Sequence, residues 1–206
     1  MKITGIILAG GLSSRMGRDK ALIQLDKYMM IEKVIKLIHP FCDELLISAN
    51  KNKYHEFGYQ VVKDKYKKIG PLGGIIACLN KSNTELNLII SCDTPNINRE
   101  TISQLLKESL NYDITLPYHN DRYEPLIAVY NRNCIEKLEL MANSSSYKLQ
   151  SMINNLNSNI IYFDESDKIK EEFININSKK DLKKYFDFEN NTIKKCIQLK
   201  CCFLEV

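Results

Sequence analysis

The chain has 206 residues, of which 44% are hydrophobic and 26% charged, with a formal net charge of +4. That length supplies one sizeable core, and the mild charge suits anionic small molecules while excluding a dedicated nucleic-acid binder. No apolar run approaches the roughly 18 residues that span a membrane, and seven cysteines, an odd number of which Cys42, Cys78, Cys92 and Cys134 are scattered through core-like segments, fit reduced thiols in a cytoplasm better than a disulfide framework.

The N-terminus carries one lysine and then the strand-like run Ile3–Leu8, which is not the pattern of a signal peptide. A helix is predicted over Met30–Ile38, with Ile31, Val34, Ile35 and Ile38 on one face. Glu44–Ala49 reads as the next strand, and Val61–Val62 as a short one reaching Asp64. Pro71 suits a helix start that Leu72–Leu79 continues. Leu88–Cys92 reads as a strand, apolar but for Ser91, followed by Asp93-Thr94-Pro95 and a helix from Arg99 to Leu110. The alternation predicts a largely parallel sheet with helices on both faces. Beyond it the rhythm changes. Tyr112–Leu116 and Leu126–Tyr130 read as strands joined by the polar loop His119–Arg122, with helices at Cys134–Met141 and Tyr147–Asn154. A strand at Ile160–Phe163 and a helix at Lys179–Phe186 close the pattern, and Asp187–Val206 has no place in it.

The first strand leaves through LAGGLSSRMGRDKAL, residues 8–22. Two glycines at a strand end call for a tight turn or a close backbone approach to a ligand. Arg15, Arg18 and Lys20 make that ligand anionic. Neither G-x-x-x-x-G-K-[ST] nor G-x-G-x-x-G is present, so this is a third kind of Gly-rich basic loop. In open parallel sheets, ligands sit outside the carboxyl ends of the strands. That rule selects Leu8–Lys20, Ser48–Asn50 and Asp93–Pro95. Lys20 can neutralise phosphate, and Asp93 can act as a hard oxygen ligand for Mg²⁺. A cationic loop beside a strand-end carboxylate is what nucleotidyl transfer requires, since charge on the departing pyrophosphate must be absorbed. The plainer reading of Asp93 is a turn or helix-start residue. His39, His55 and His119 fall in unrelated segments, Cys196, Cys201 and Cys202 lack a second ligand pair at zinc spacing, and there is no G-x-S-x-G nucleophile motif.

Together these blocks resemble the molybdenum cofactor guanylyltransferases. The first loop follows the family's L-A-G-G-x-S-x-R-M-G-x-D-K-A-L, and ISAN (47–50), VVKD (61–64), GPLGGI (70–75), SCDTP (91–95), EPLIAVY (124–130) and FININSKKDL (173–182) follow in family order. The resemblance implies an α/β, three-layer Rossmann-like nucleotidyltransferase fold with a mostly parallel central sheet. It implies one domain over 1–186, its N-terminal part binding GTP and its C-terminal part molybdopterin, with 187–206 an extension of no assigned role. The implied reaction transfers GMP from MgGTP to molybdenum-molybdopterin, giving the guanine dinucleotide cofactor and pyrophosphate. By motif position, Leu8, Ala9, Gly10 and Gly11 cradle the nucleotide, and Arg15 and Lys20 hold the triphosphate. Asn50 and Asp64 contact the nucleoside, Gly73 and Gly74 allow close approach, and Asp93 ligates Mg²⁺. Asn175, Asn177 and Arg122 fall on the molybdopterin side. Implied partners are the two substrates, with transient contact to cofactor-insertion proteins or apo-molybdoenzymes, and neither nucleic acid nor membrane. Guanylyl-type relatives carry L-A-G-G where cytidylyl-type relatives carry L-A-A-G, so the loop implies GTP. Here Ser178-Lys179 replaces the family's Thr-Pro after N-x-N, and the serine keeps the hydroxyl a helix cap needs. The rival readings are a transferase of the same fold making a cytosine dinucleotide or an NDP-sugar, and a non-catalytic cofactor chaperone. Retention of Lys20 and Asp93 speaks against the chaperone.

Overall fold

Ile3–Leu8 (β1) is buried from Thr4 onward on both faces, which is why it shows no polar alternation. The computed structural model describes residues 1–10, 19–64, 66, 69–144, 149, 153–164 and 166–187. After β1 come a hairpin of β2 (Gln24–Leu25) and β3 (Tyr28–Met29), then α1 (Met30–Ile38), β4 (Glu44–Ser48), β5 (Gln60–Val62) and α2 (Pro71–Lys81). The chain continues through β6 (Leu86–Ser91), α3 (Arg99–Lys107), β7 (Ile114–His119), β8 (Arg122–Tyr123) and β9 (Ile127–Asn131). It ends with α4 (Ile135–Asn143), β10 (Ser158–Tyr162), α5 (Asp167–Glu172) and a helix at 179–187, α6.

The main sheet has the order β10-β7-β9-β6-β1-β4-β5, with β8 paired to β7. β1 pairs in parallel with β4 and β6, so that Ile6 lies opposite both Leu46 and Ile89. β9 runs antiparallel to both of its neighbours. Successive residues of a strand point to opposite faces, and the core divides accordingly. Ile6, Leu46 and Ile89 pack with Ile75 of α2 and Leu138 of α4. Ile7, Ile47 and Ile90 pack with Val34 of α1 and Ile102 of α3. Each fully buried aliphatic side chain contributes roughly 1.5–3 kcal/mol, and the sheet fills on both sides. This is the expected three-layer α/β architecture with a mostly parallel sheet. A third cluster, Ile23, Leu25, Met30, Ile176 and Tyr185, joins the small hairpin to the C-terminal helix.

Local signals explain most boundaries. Asn98 caps α3, its side-chain oxygen accepting the Thr101 N–H at 2.8 Å. Gly70, at φ 64°, makes the left-handed turn before Pro71 opens α2. The loop expected at His119–Arg122 is a two-residue turn, in which Asn120 (φ 46°) and Asp121 (φ 56°) connect the facing residues His119 and Arg122. β7 therefore extends to His119, not to Leu116. α5 and the β2–β3 hairpin were not expected from the sequence. Most of the helix predicted at Tyr147–Asn154, and residues 188–206 of the C-terminal extension, lie outside the described residues. Among the described residues no helix is long and apolar enough to cross a membrane.

Candidate active site

The carboxyl ends of β1, β4 and β6 are knitted together by backbone bonds. The N–H groups of Ala9 and Gly10 both donate to Ser48 O at 3.0 Å, and Cys92 N–H donates to Leu8 O at 3.1 Å. After β6, a turn is closed by Thr94, whose N–H (3.3 Å) and hydroxyl (2.9 Å) both donate to Ser91 O. That turn aims Asp93 across the strand ends while leaving it only 6% exposed.

The Asp93 carboxylate accepts the Ser91 hydroxyl on one oxygen and pairs with the Lys20 ammonium on the other. Lys20 also donates to Asn177 Oδ1 at 3.0 Å, and the Ile176 N–H donates to Asp93 O at 2.8 Å. Three predicted residues from distant parts of the chain thus meet at one point. Asn175 and Asn177 are exposed and Ile176 between them is buried, as an extended N-x-N requires. The following helix is capped by its own residues: Ser178 Oγ accepts the Asp181 N–H at 3.2 Å and donates to Asp181 Oδ2 at 2.8 Å. The Asn177 side chain goes to Lys20 instead.

A second group of predicted residues lies toward β5 and α2. Asn50 Oδ1 accepts the Asp64 N–H at 3.0 Å, and Asp64 Oδ1 accepts the Tyr66 N–H at 2.7 Å. Burial pushes the Asp64 carboxyl above its ordinary value, against the lowering effect of the Tyr66 bond. Gly73 and Gly74 permit a close approach, and their neighbours in it are side chains of this protein. A Cβ at 73 would stand 2.4 Å from Asp64 Oδ1, and one at 74 would stand 2.4 Å from Ser48 Oγ. Gly10 differs, because a Cβ there meets only Ser48 O at an ordinary 3.7 Å. Nothing within the described residues demands glycine at that position.

Leu8, Ala9 and Gly10 sit at the strand end as expected, but the N–H groups of Ala9 and Gly10 are already used by Ser48 O. What those two residues offer a ligand is therefore surface and the Gly10 carbonyl. Gly11 and Arg15 lie outside the described residues. Arg122 is exposed on β8, near enough to Glu124 to oppose the rise of its pKa.

Two groups escaped the sequence reading. Asp19, beside Lys20, accepts the Tyr54 hydroxyl at 2.8 Å and is paired with Lys51 at 3.0 Å and Lys53 at 2.9 Å. Burial works against ionisation there, yet the bonds from Lys53, Tyr54 and Lys51 hold the carboxyl below its ordinary value. The second group is Glu124 with His119. Burial, with a further push from Asp93, brings the Glu124 carboxyl up to about 7, and its Oε1 is 3.1 Å from His119 Nε2. The His119 ring stacks on Phe173 at 4.2 Å, two residues before Asn175. Asp19 stands inside the basic loop, between Arg18 and Lys20. Tyr54 carried no sequence signal at all.

Among the described residues no cluster of three or more His, Cys, Asp or Glu side chains could hold a metal by itself. A cavity of about 240 Å³ bordered by Glu85, Asn111 and Asn131 lies at the other end of the sheet and contains none of the predicted residues.

The profile of the family described as "MobA-like NTP transferase domain" matches residues 5–160. A Clostridium perfringens (strain 13 / Type A) protein named "Probable molybdenum cofactor guanylyltransferase" is 35% identical over 197 residues, covering 94% of this chain and 93% of its own length. A Vibrio parahaemolyticus "Molybdenum cofactor guanylyltransferase" is 32% identical over 192 residues, covering 90% of this chain and 95% of its own. The crystal structure of molybdopterin-guanine dinucleotide biosynthesis protein A from Archaeoglobus fulgidus superposes with a TM-score of 0.76 at 24% identity, over 91% of this chain and 99% of that one, which is a likeness of fold.

Proposed function

The chain belongs to the MobA-like NTP transferase family and is a nucleotidyltransferase, and from that premise we propose that it transfers GMP from MgGTP to molybdenum-charged molybdopterin. The products are the molybdopterin guanine dinucleotide and pyrophosphate. The observation that carries this reading is the meeting of Lys20, Asp93 and Asn177 at the carboxyl ends of the strands. It brings a phosphate-binding cation, a hard carboxylate and the polar N-x-N segment within one substrate's reach.

The acceptor phosphate is already an oxyanion, so the protein needs no general base. Its work is alignment and charge neutralisation. Lys20 supplies a cation that can move from Asp93 to the α- and β-phosphates as charge grows there in the transition state. Arg15 adds a second cation to the triphosphate. Asp93 fits Mg²⁺, since that ion is commonly held by one or two carboxylates with substrate phosphates and water completing its shell. When bound, the ion neutralises the phosphates of the departing pyrophosphate.

Asp64 supports the choice of guanine. Its carboxylate is partly desolvated, and the N1–H and N2–H₂ donors of guanine repay that cost, whereas cytosine offers no such pair. A site built around a hydrogen bond rejects a ligand lacking it by up to about ten-thousandfold. Asn175, Asn177 and Arg122 stand on the acceptor side, and Asn177 links that side to Lys20.

The test is a side-by-side measurement of pyrophosphate release with MgGTP, MgCTP and MgATP in the presence of molybdenum-charged molybdopterin. A clear preference for GTP is expected, with partial relaxation in Gly10→Ala, whose backbone has room for the methyl group. Comparable or better use of CTP would overturn the guanylyl assignment.

A further inference from the structure

Tyr54 lies in the 3₁₀ helix Asn52–Phe57 between β4 and β5, and it is only 1% exposed. Its ring packs within the same core layer as Ile7, Ala9 and Ala49. A buried phenol needs a hydrogen-bond partner, and one acceptor would satisfy it. Tyr54 has two: Asp19 Oδ1 at 2.8 Å and Ala9 O at 3.1 Å. With a single proton to give, the hydroxyl shares it in a three-centre bond.

Those acceptors belong to separate stretches of chain. Ala9 leaves β1 and has its N–H fixed by Ser48 O at 3.0 Å, so the Tyr54 contact fixes its other polar group. Asp19 immediately precedes Lys20, and its carboxylate is clamped from further sides by Lys51 at 3.0 Å and Lys53 at 2.9 Å. Lys20 in turn reaches Asp93 at the end of β6. One hydroxyl therefore sets the spacing between the strand-end backbone and the residue that presents the lysine.

We propose that Tyr54 is a positioning residue for nucleotidyl transfer, holding the Ala9–Gly10 backbone and Lys20 at the separation that one nucleotide spans between its base and its phosphates. This rests on the GTP reading above. Asp19 is its partner: the carboxylate accepts the hydrogen bond from the Tyr54 hydroxyl, and Lys51 and Lys53 keep that carboxylate ionised and in place. A purely structural tyrosine would stabilise the fold without favouring one substrate over the other.

The experiment compares full-length wild type with Tyr54→Phe, which keeps the ring and removes only the hydroxyl. MgGTP affinity is measured by calorimetry, kcat and both KM values by pyrophosphate release, and folding by Tm. Wild type is expected to bind MgGTP. Tyr54→Phe should lose about tenfold in kcat/KM for MgGTP, the size of one hydrogen bond to a charged group. The KM for molybdopterin should stay unchanged. Should the phenylalanine variant fail to fold, Asp19→Asn, which leaves the tyrosine whole and removes the charge it answers to, is expected to show the same selective loss. Wild-type kcat/KM for MgGTP in a folded variant, or equal losses toward both substrates, would overturn the positioning role. A wild-type protein that does not bind MgGTP would overturn the guanylyl reading itself, and the proposal with it.

Discussion

Replacing Gly73 by alanine separates stability from nucleotide recognition, and the geometry gives the size of each effect. The new Cβ would lie 2.4 and 2.6 Å from the two Asp64 oxygens and 2.8 Å from their carbon. All three atoms form the far end of one side chain, so Asp64 swings aside and α2 stays where it is. The swing breaks the 2.7 Å bond from the Tyr66 N–H, a loss of about 1.5–3 kcal/mol for a hydrogen bond to a charged group. Two gains offset it: up to about 1 kcal/mol of helix propensity, and release of the carboxylate from the burial that raises its pKa. The net change is about 1 kcal/mol, a shift of roughly 2–4 °C in Tm for a chain of this size. Recognition suffers more. Two guanine donors lose a charged acceptor, which removes about 3 kcal/mol or roughly a hundredfold in affinity. The assay is the kcat/KM ratio for MgGTP over MgATP beside a thermal melt. A Gly73→Ala protein with unchanged selectivity would refute the assignment of Asp64 to the base.

Three further outcomes are expected. Asp93→Asn should lower turnover at saturating MgGTP by about a hundredfold or more, the scale of one lost transition-state contact, and near-normal turnover in pyrophosphate release would remove Asp93 from the mechanism. Replacing Asn175 and Asn177 together by alanine should raise the KM for molybdopterin and spare calorimetric GTP affinity, while equal loss of both would assign the pair to structure. Glu124 holds its proton up to about 7, above the ordinary 4.5. Its stabilising contribution is therefore full below about pH 4.5 and lost as pH rises through about 7, by at most about 3 kcal/mol. Urea melts should show Glu124→Gln gaining on wild type between pH 5 and pH 8, and a difference independent of pH would refute the burial argument.

Much of the sheet was legible because its strands are apolar on both faces and bounded by strong punctuation. β1 and α1 fall where the apolar runs and the 3.6-residue stripe put them, and Pro71 marks the start of α2. The β2–β3 hairpin was not legible, since its strands are two residues long and its turn uses Asp26 in the left-handed region (φ 54°) without a glycine to announce it. α5 is six residues, too short for a periodic stripe, although Ser166 caps it by accepting the Ile169 N–H at 3.4 Å. In the site, residues at strand ends could be named because the parallel sheet says where ligands go. Tyr54 and Asp19 could not, because their importance lies in a contact between segments that no local pattern encodes. The same holds for Glu124, whose chemistry is set by the burial around it and by Asp93 more than thirty residues away.

The order of strands in the sheet also sets when each can find its neighbour during synthesis. β1 lies between β4 and β6, with Ile3 opposite Leu86, so the first strand made waits for the ribosome to deliver residues 86–91 before its second edge is covered. Closing so long a loop costs only slowly growing entropy, yet distant pairings form late. Until then β1 has β4 as its only strand neighbour in the sheet and leaves the backbone N–H and C=O groups of its other edge unpaired. Outward from β6 the sheet continues through β9, antiparallel to it, and then β7 and β10. The strand that leads to Asp93 is thus the seam between the β5-β4-β1 and β9-β7-β10 parts of the sheet. A lesion in β6 should impair folding with both parts of the sheet open and aggregation-prone, whereas one in β10 should leave the β5-β4-β1-β6 part intact.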